Sequence, residues 1–268
     1  MLDFLRSTLQ RVIVNRINFL IASCCFTLYL WSNVNVVAEE LTVAVATNFL
    51  TTAEELIEQF EEQSDIDITV VAGSSGQLFA QAKNGAPYDV FFSADQEKIE
   101  AIINENLGIT DSRITYAIGR LCFMLNPQRE YEQKAHELFE NLEFNRIVWA
   151  NPKLAPYGTA AEEVFDSLEV DLSNEKKKVI FADNVGKAYA IAFTGNSDAG
   201  MVALSSVLDD ELSSEYFYVI PEEYYSPLRQ DAIILSRSEN EVNAREFIDF
   251  VQSSDAKAII RSNGYALD

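Results

Sequence analysis

The spacing of apolar residues changes period repeatedly along this chain. Leu41, Val43 and Val45 alternate like one face of a strand, and the run passes without a break into an amphipathic helix ending near Phe60. A period of two giving way to one of 3.6 marks a strand feeding a helix. The pattern recurs in Asp67–Ala72 (DITVVA), followed by the turn Gly73-Ser74-Ser75-Gly76 and a helix to about Lys83. Asn84-Gly85-Ala86-Pro87 breaks that helix. Tyr88–Phe92 then reads as a short buried strand, and Ser93-Ala94-Asp95 caps a helix striped by Ile99, Ile102 and Ile103.

Further along, Ile114–Leu125 is a long strand-like run with Gly119-Arg120 in its middle, followed by a weak helix near Tyr131–Asn141. The pattern predicts strands at Arg146–Ala150, Val179–Phe181, Ala199–Leu204, Tyr216–Ile220 and Gln230–Leu235. Helices are expected at Thr159–Leu168, from Asn184-Val185-Gly186 onward, and at Asn240–Gln252 and Asp255–Asn263. Strands alternating with helices at this spacing predict an α/β fold built on parallel sheets with helices on their faces. The long β runs near 114–125 and 226–236 are candidates for crossings between two lobes.

The N-terminus follows a different rule. Arg6, Arg11 and Arg16 precede the apolar run Ile17–Trp31, and Val36-Val37-Ala38 offers a small-residue cleavage site. The run is shorter than the roughly 20 residues a membrane span needs, so residues 1–38 read as a secretory signal. Ile21-Ala22-Ser23-Cys24 is similar to a lipobox, but the apolar run continues to Trp31, which ranks lipid attachment at Cys24 below simple cleavage. Cys24 and Cys25 leave with the signal, so Cys122 stays alone and no disulfide or cysteine metal cluster is available to the mature chain. The signal carries Asp3 and three arginines, so its removal takes the net charge from −22 to −24. That acidity argues against nucleic acid and anionic membranes as partners.

Candidate chemistry lies where strands end. Thr47-Asn48, Ser74-Ser75-Gly76, Pro156-Tyr157-Gly158 and Asn184-Val185-Gly186 each place small or polar residues ahead of a helix N-terminus. Such a terminus presents unpaired N–H groups and the positive end of the helix dipole, which together suit an anion. In doubly wound sheets these places lie at the carboxyl ends of the strands, where ligands bind. The donors are neutral, and Lys187 is the one cation within reach of the four motifs. A hydrolase is disfavoured because Gly73-Ser74-Ser75-Gly76 is not G-x-S-x-G and the single histidine, His136, lies in a polar helical stretch. A structural adhesion module would not need four polar helix starts.

The segments TVAVATNFLTTAEELIEQFEEQS, VVAGSSGQLFAQAKNGAPYDVFFSAD, RITYAIGRL, ANPKLAPYGTAAEEV and ADNVGKAYA resemble, in order, the periplasmic molybdate-binding proteins of ABC transporters, in the branch with Thr-Asn in the first loop. The resemblance implies a two-lobed periplasmic binding protein of type II, each lobe a sheet flanked by helices, with the oxyanion in the cleft. Residues 39–118 with 229–268 would form one lobe and 119–228 the other. It implies ligand contacts from Thr47, Asn48, Ser75, Tyr157 and Val185. Val185 would act through its backbone N–H, as in part would Asn48 and Ser75, and Ser74 ranks below these. The strand at Gly200-Met201-Val202-Ala203 departs from members that carry a ligand tyrosine there. The resemblance further implies a monomer without cofactor that passes molybdate, or tungstate, to a membrane permease. Another tetrahedral oxyanion such as sulfate is the alternative ligand.

Overall fold

Strand β1 (Glu39–Ala46) runs through one 3-10 turn (Thr47–Phe49) into helix α1 (Leu50–Glu61). The structure is a computed structural model that describes residues 39–170 and 178–268. The signal read over residues 1–38, with Cys24, lies outside the described residues. The chain continues through β2 (Ile66–Gly73), α2 (Ser75–Lys83), β3 (Val90–Ser93), α3 (Glu97–Asn104), β4 (Ile114–Gly119) and β5 (Leu121–Leu125). Next come α4 (Ala135–Glu140), β6 (Arg146–Ala150), α5 (Pro156–Ser167), β7 (Lys178–Ala182) and α6 (Val185–Phe193). Then β8 (Ala199–Ala203), α7 (Leu204–Asp209), β9 (Phe217–Val219), β10 (Leu228–Ile234), α8 (Glu241–Val251) and α9 (Ser254–Ser262) complete it.

Two five-stranded sheets result, ordered β2-β1-β3-β10-β4 and β7-β6-β8-β5-β9. In the first, β1 is parallel to β2 and β3, while β10 is antiparallel to β3 and β4. In the second, β6 is parallel to β7 and β8, while β5 is antiparallel to β8 and β9. The two sheets share one plan. In each, the fourth strand is the one that enters from the other sheet and the fifth is the one that leaves. The chain crosses at Arg120 and returns between Val219 and Leu228.

Side-chain alternation sorts the cores, because successive residues of a strand face opposite sides. Leu41, Val43 and Val45 join Phe60, Phe247 and Ile260 of the helices on one side of the first sheet. Ala44, Phe91 and Ile233 join Leu78 and Ile99 on the other. In the second sheet Leu121, Phe123 and Leu125 face one core while Cys122 and Met124 face the other. Both faces of each sheet are therefore covered, as parallel strands require. Burial pushes the Cys122 thiol well above its ordinary pKa, which leaves it protonated and inert.

Three differences from the sequence reading have physical causes. Helix α5 begins at Pro156, not Thr159, because a proline at the first helical position is already set to helical φ and has no N–H to waste. Tyr157 is therefore in the first turn of a helix, not in a loop. Helix α7 was not expected. Its six residues are too few to show a period, and its first, Leu204, reads as the end of the preceding strand. Helix α4 is shorter than the expected 131–141.

Helix α5 sits very close to β6. A methyl group at Gly158 would stand 2.1 Å from the Ala150 carbonyl oxygen and 2.8 Å from the Pro152 nitrogen, both backbone atoms that cannot turn aside. Gly158→Ala should cost about 1–3 kcal/mol, read as a lower midpoint in chemical unfolding. An unchanged midpoint would show that this packing is loose.

Candidate functional site

The carboxyl ends of β1, β2, β6 and β7 deliver the four helix starts to one place between the sheets. Ala46 and Ala94, at and just past the ends of β1 and β3, share a buried apolar cluster with Ala155, Tyr157 and Val185, which follow β6 and β7. Direct hydrogen bonds join the two sides. The Gly186 N–H donates to Thr47 Oγ1 at 3.3 Å. The Gly76 N–H donates to the Leu154 carbonyl at 3.0 Å. The Ser205 hydroxyl donates to the Asn48 carbonyl at 2.8 Å. Asn48, Ser75, Tyr157 and Val185 are all buried, and Thr47 is half-buried.

The polarity of the hydrogen bonds decides what the site can do. Three hydroxyls accept from an N–H: Thr47 from Gly186, Ser75 from Ala94 at 2.9 Å, and Tyr157 from the Gln230 amide at 3.4 Å. A hydroxyl has one proton to give, and an acceptor bond from an N–H leaves that proton free to point elsewhere. Burial holds the Tyr157 hydroxyl far above the usual phenol pKa, so it keeps its proton.

The helix starts complete the donor set. In α2 the second and third N–H groups are taken, Gly76 by Leu154 and Gln77 by the Ser74 side chain. In α6 the same two positions are taken, Gly186 by Thr47 and Lys187 by Asn184 Oδ1 at 2.8 Å. This leaves Ser75 and Val185, the first residue of each helix, as positions where the helix supplies no acceptor. Ser74 is the N-cap of α2, in a reciprocal capping box with Gln77, so its hydroxyl serves the helix. Asn48 differs from its sequence reading in one respect. Its side-chain amide donates to Gln230 Oε1 at 2.8 Å and to the Tyr265 hydroxyl at 3.3 Å, so both amide protons are engaged within the protein.

Three nearby carboxylates have partners of their own. The Asp95 carboxylate accepts from Lys98 N at 2.8 Å and from the Ser93 hydroxyl. Asp183 is paired with Lys187. Asp231, fully buried, is bound by Arg113 at 2.6 Å and by Thr115 at 2.8 Å. Among the described residues no group of histidine, cysteine or acidic side chains could hold a metal. His136 is on the surface, 3.9 Å from Glu137.

Sequence reasoning missed the shell around Asn48. Gln230, Tyr116, Tyr265 and Ser205 form one buried hydrogen-bonded group about it. The one signal available was Arg229-Gln230-Asp231, three polar residues at the head of the β run Leu228–Leu235.

With this geometry in view, comparison with known proteins places the chain in a class. It belongs to the bacterial extracellular solute-binding proteins, whose family model matches residues 41–266. The molybdate-binding protein ModA of Rhodobacter capsulatus is 35% identical over 231 residues, covering 86% of this chain and 90% of that protein. The protein of that name from Azotobacter vinelandii is 33% identical over 231 residues, covering 86% and 91%. The solved structure of the Azotobacter vinelandii periplasmic molybdate-binding protein superposes with a TM-score of 0.77 at 34% identity, covering 85% of this chain and 99% of that one.

Gly119, at the crossing from β4 to β5, is a place where the two sides meet closely. A methyl group there would stand 2.2 Å from the Tyr157 hydroxyl and 2.4 Å from Gln230 Nε2. Gly119→Ala should push the two apart and destabilise the folded chain by about 1–3 kcal/mol. An unfolding midpoint equal to wild type would mean that this contact yields without cost.

Proposed function

We propose that this chain captures molybdate in the cleft between two lobes, residues 39–118 with 229–268 and residues 119–228, and delivers it to the membrane permease of an ABC importer. The observation that carries the reading is the uniform polarity of the site. Hydroxyl protons of Thr47, Ser75 and Tyr157, with N–H groups at Asn48, Ser75 and Val185, all have something to give, while the nearby carboxylates are already occupied. A tetrahedral dianion with four acceptor oxygens is the ligand that such a set can satisfy. Relatives at 33–35% identity that are named molybdate-binding support molybdate as that dianion.

Tungstate has nearly the same size and charge and is accepted on the same grounds. Sulfate, with shorter bonds, would leave gaps. A hydrolytic role has no support at Ser75, whose hydroxyl accepts from a backbone N–H and has no histidine beside it. Residues 1–38 direct export to the periplasm, and the mature chain works as a monomer without cofactor or nucleic acid.

A calorimetric titration with molybdate, tungstate, sulfate and phosphate tests the reading directly. Ser75→Ala and Tyr157→Phe each remove a hydroxyl that donates to a charged ligand, a contact worth roughly 1.5–3 kcal/mol. Each should weaken molybdate binding about tenfold to a hundredfold. Wild-type affinity in Ser75→Ala would take that residue out of the site, and in Tyr157→Phe would break the two-lobe arrangement.

No proposed contact changes charge near neutrality. The Tyr157 pKa is raised by burial, so its proton is lost only above the usual phenol value of about 10. Molybdate affinity should therefore stay flat from about pH 6.5 to 8.5. Phosphate still carries a proton in this range, and that proton would face a donor, at a cost of about 1–3 kcal/mol or more. Displacement of molybdate by millimolar phosphate at neutral pH would reveal an acceptor in the cleft and refute this account of selectivity.

A further inference from the structure

We propose that Gln230 is a positioning residue that aims the oxyanion donors of both lobes, an inference that rests on the binding reading above. Gln230 is fully buried in β10, beside the irregularity that shifts the pairing of β10 with β4 between Gln230 and Asp231. Its Oε1 accepts from Asn48 Nδ2 at 2.8 Å and from the Tyr116 hydroxyl at 2.9 Å. Its Nε2 donates to the Tyr157 hydroxyl oxygen at 3.4 Å. One amide thus ties a residue of the first helix start to a residue of the third, across the lobes.

The sense of each bond matters. An amide nitrogen such as Asn48 Nδ2 can only donate, which fixes Oε1 on that side and Nε2 on the side of Tyr157. A hydroxyl oxygen that accepts from Nε2 cannot also give its proton to that nitrogen. The Tyr157 proton is therefore not spent on Gln230 and stays available to a ligand. On the other side, engaging the Asn48 side chain fixes the 3-10 turn, and with it the direction of the Asn48 backbone N–H. Gln230 need not touch the ligand to decide where these donors point.

A glutamate at this position keeps the shape and reverses one bond. Ionised, it still accepts from Asn48 and Tyr116, but toward Tyr157 it can only accept. Tyr157 would then give its proton to residue 230 and show lone pairs, together with a nearby negative charge, to the dianion. Protonation of that glutamate would restore a donor toward Tyr157. Affinity should then acquire a pH dependence that the native site lacks.

The groups that face position 230 are Asn48 from the first turn, Tyr116 from β4 and Tyr157 from α5, with Tyr265 beyond Asn48. Asp231, next in the strand, is held by Arg113, Thr115 and Gln96. Asp95 and Asp231 both lie within electrostatic reach of Tyr116. All of these are common to native and variant proteins, so the difference between the two pH profiles isolates residue 230.

The test is calorimetric titration with molybdate from about pH 5.5 to 8.5, using wild type, Q230E, Q230L, Y157F and the Y157F/Q230L double variant. Q230E should bind about tenfold to a hundredfold more weakly than wild type at the alkaline end and recover as the pH falls. Q230L should lose about tenfold at every pH, and that loss should shrink when Tyr157 is already phenylalanine. Should Q230L fail to fold, Q230E carries the test alone, since its side chain has nearly the same shape. A wild-type protein that does not bind molybdate overturns the site reading and this inference with it. If wild type binds, a Q230E profile parallel to the native one, or an equal Q230L loss in the Y157F background, overturns the role of Gln230 alone.

Discussion

The structure turns on the hydrogen bonds from N–H groups to the hydroxyls of Thr47, Ser75 and Tyr157. A buried hydroxyl can donate or accept, and an anion accepts only donors. Giving each hydroxyl an N–H from the protein fills one of its acceptor positions and leaves its proton to be given. The energetic consequence is preorganisation. A hydroxyl already held in place by such a bond pays less to be ordered on binding. Much of the rest of the fold arranges for those N–H groups to be present. Gly186 comes from the start of α6, Ala94 from the end of β3, and the amide of Gln230 from the strand that returns from the second sheet.

That arrangement explains the doubled architecture. A single α/β sheet ends several strands on one edge and can offer several helix starts, all from one side. Two sheets of the same plan, joined by chain crossings at Arg120 and between Val219 and Leu228, bring such edges face to face. Gly119 and Gly158 are small because backbone or buried polar atoms occupy the space where a Cβ would sit. The close fit of α5 on β6 places Tyr157 within one turn of its helix start, so the same helix supplies both packing and a donor.

The grammar of strand, polar turn and helix was plain in the sequence because it is local. Ser74-Ser75-Gly76 and Asn184-Val185-Gly186 each announce a cap and a start within a few residues, and both do start helices. The crossing runs were legible because each is a long β stretch with a break. The shell about Asn48 was not legible, and the reason is distance along the chain. Asn48 meets Gln230 across 182 positions and Tyr265 across 217, and no periodicity reports on such pairs. Tyr157 was read into a loop because Ala155-Pro156 looks like a helix breaker. In the fold Pro156 is the first residue of the helix, a role that local propensity alone does not distinguish. For Asn48 the resemblance implies a contact made in part through its backbone N–H, and nothing local shows that Gln230 and Tyr265 claim its side-chain amide.

The acidity of the chain and its reading as an anion receptor are reconciled at the rim. A net charge near −22 repels a dianion at long range, but salt screens charges beyond about 8 Å at physiological ionic strength. What matters is the charge within that distance, and several carboxylates of this region have a cation beside them. Asp183 pairs with Lys187, Asp231 with Arg113, and Asp95 with Lys98 and the first turn of α3. In the proposed site the donors are neutral N–H and O–H groups, which act only over hydrogen-bond distances. A cluster of lysines or arginines would have drawn in any anion, phosphate and chloride included. On the proposed reading, neutral donors forgo that pull, and an anion that brings a proton of its own would find no acceptor to receive it.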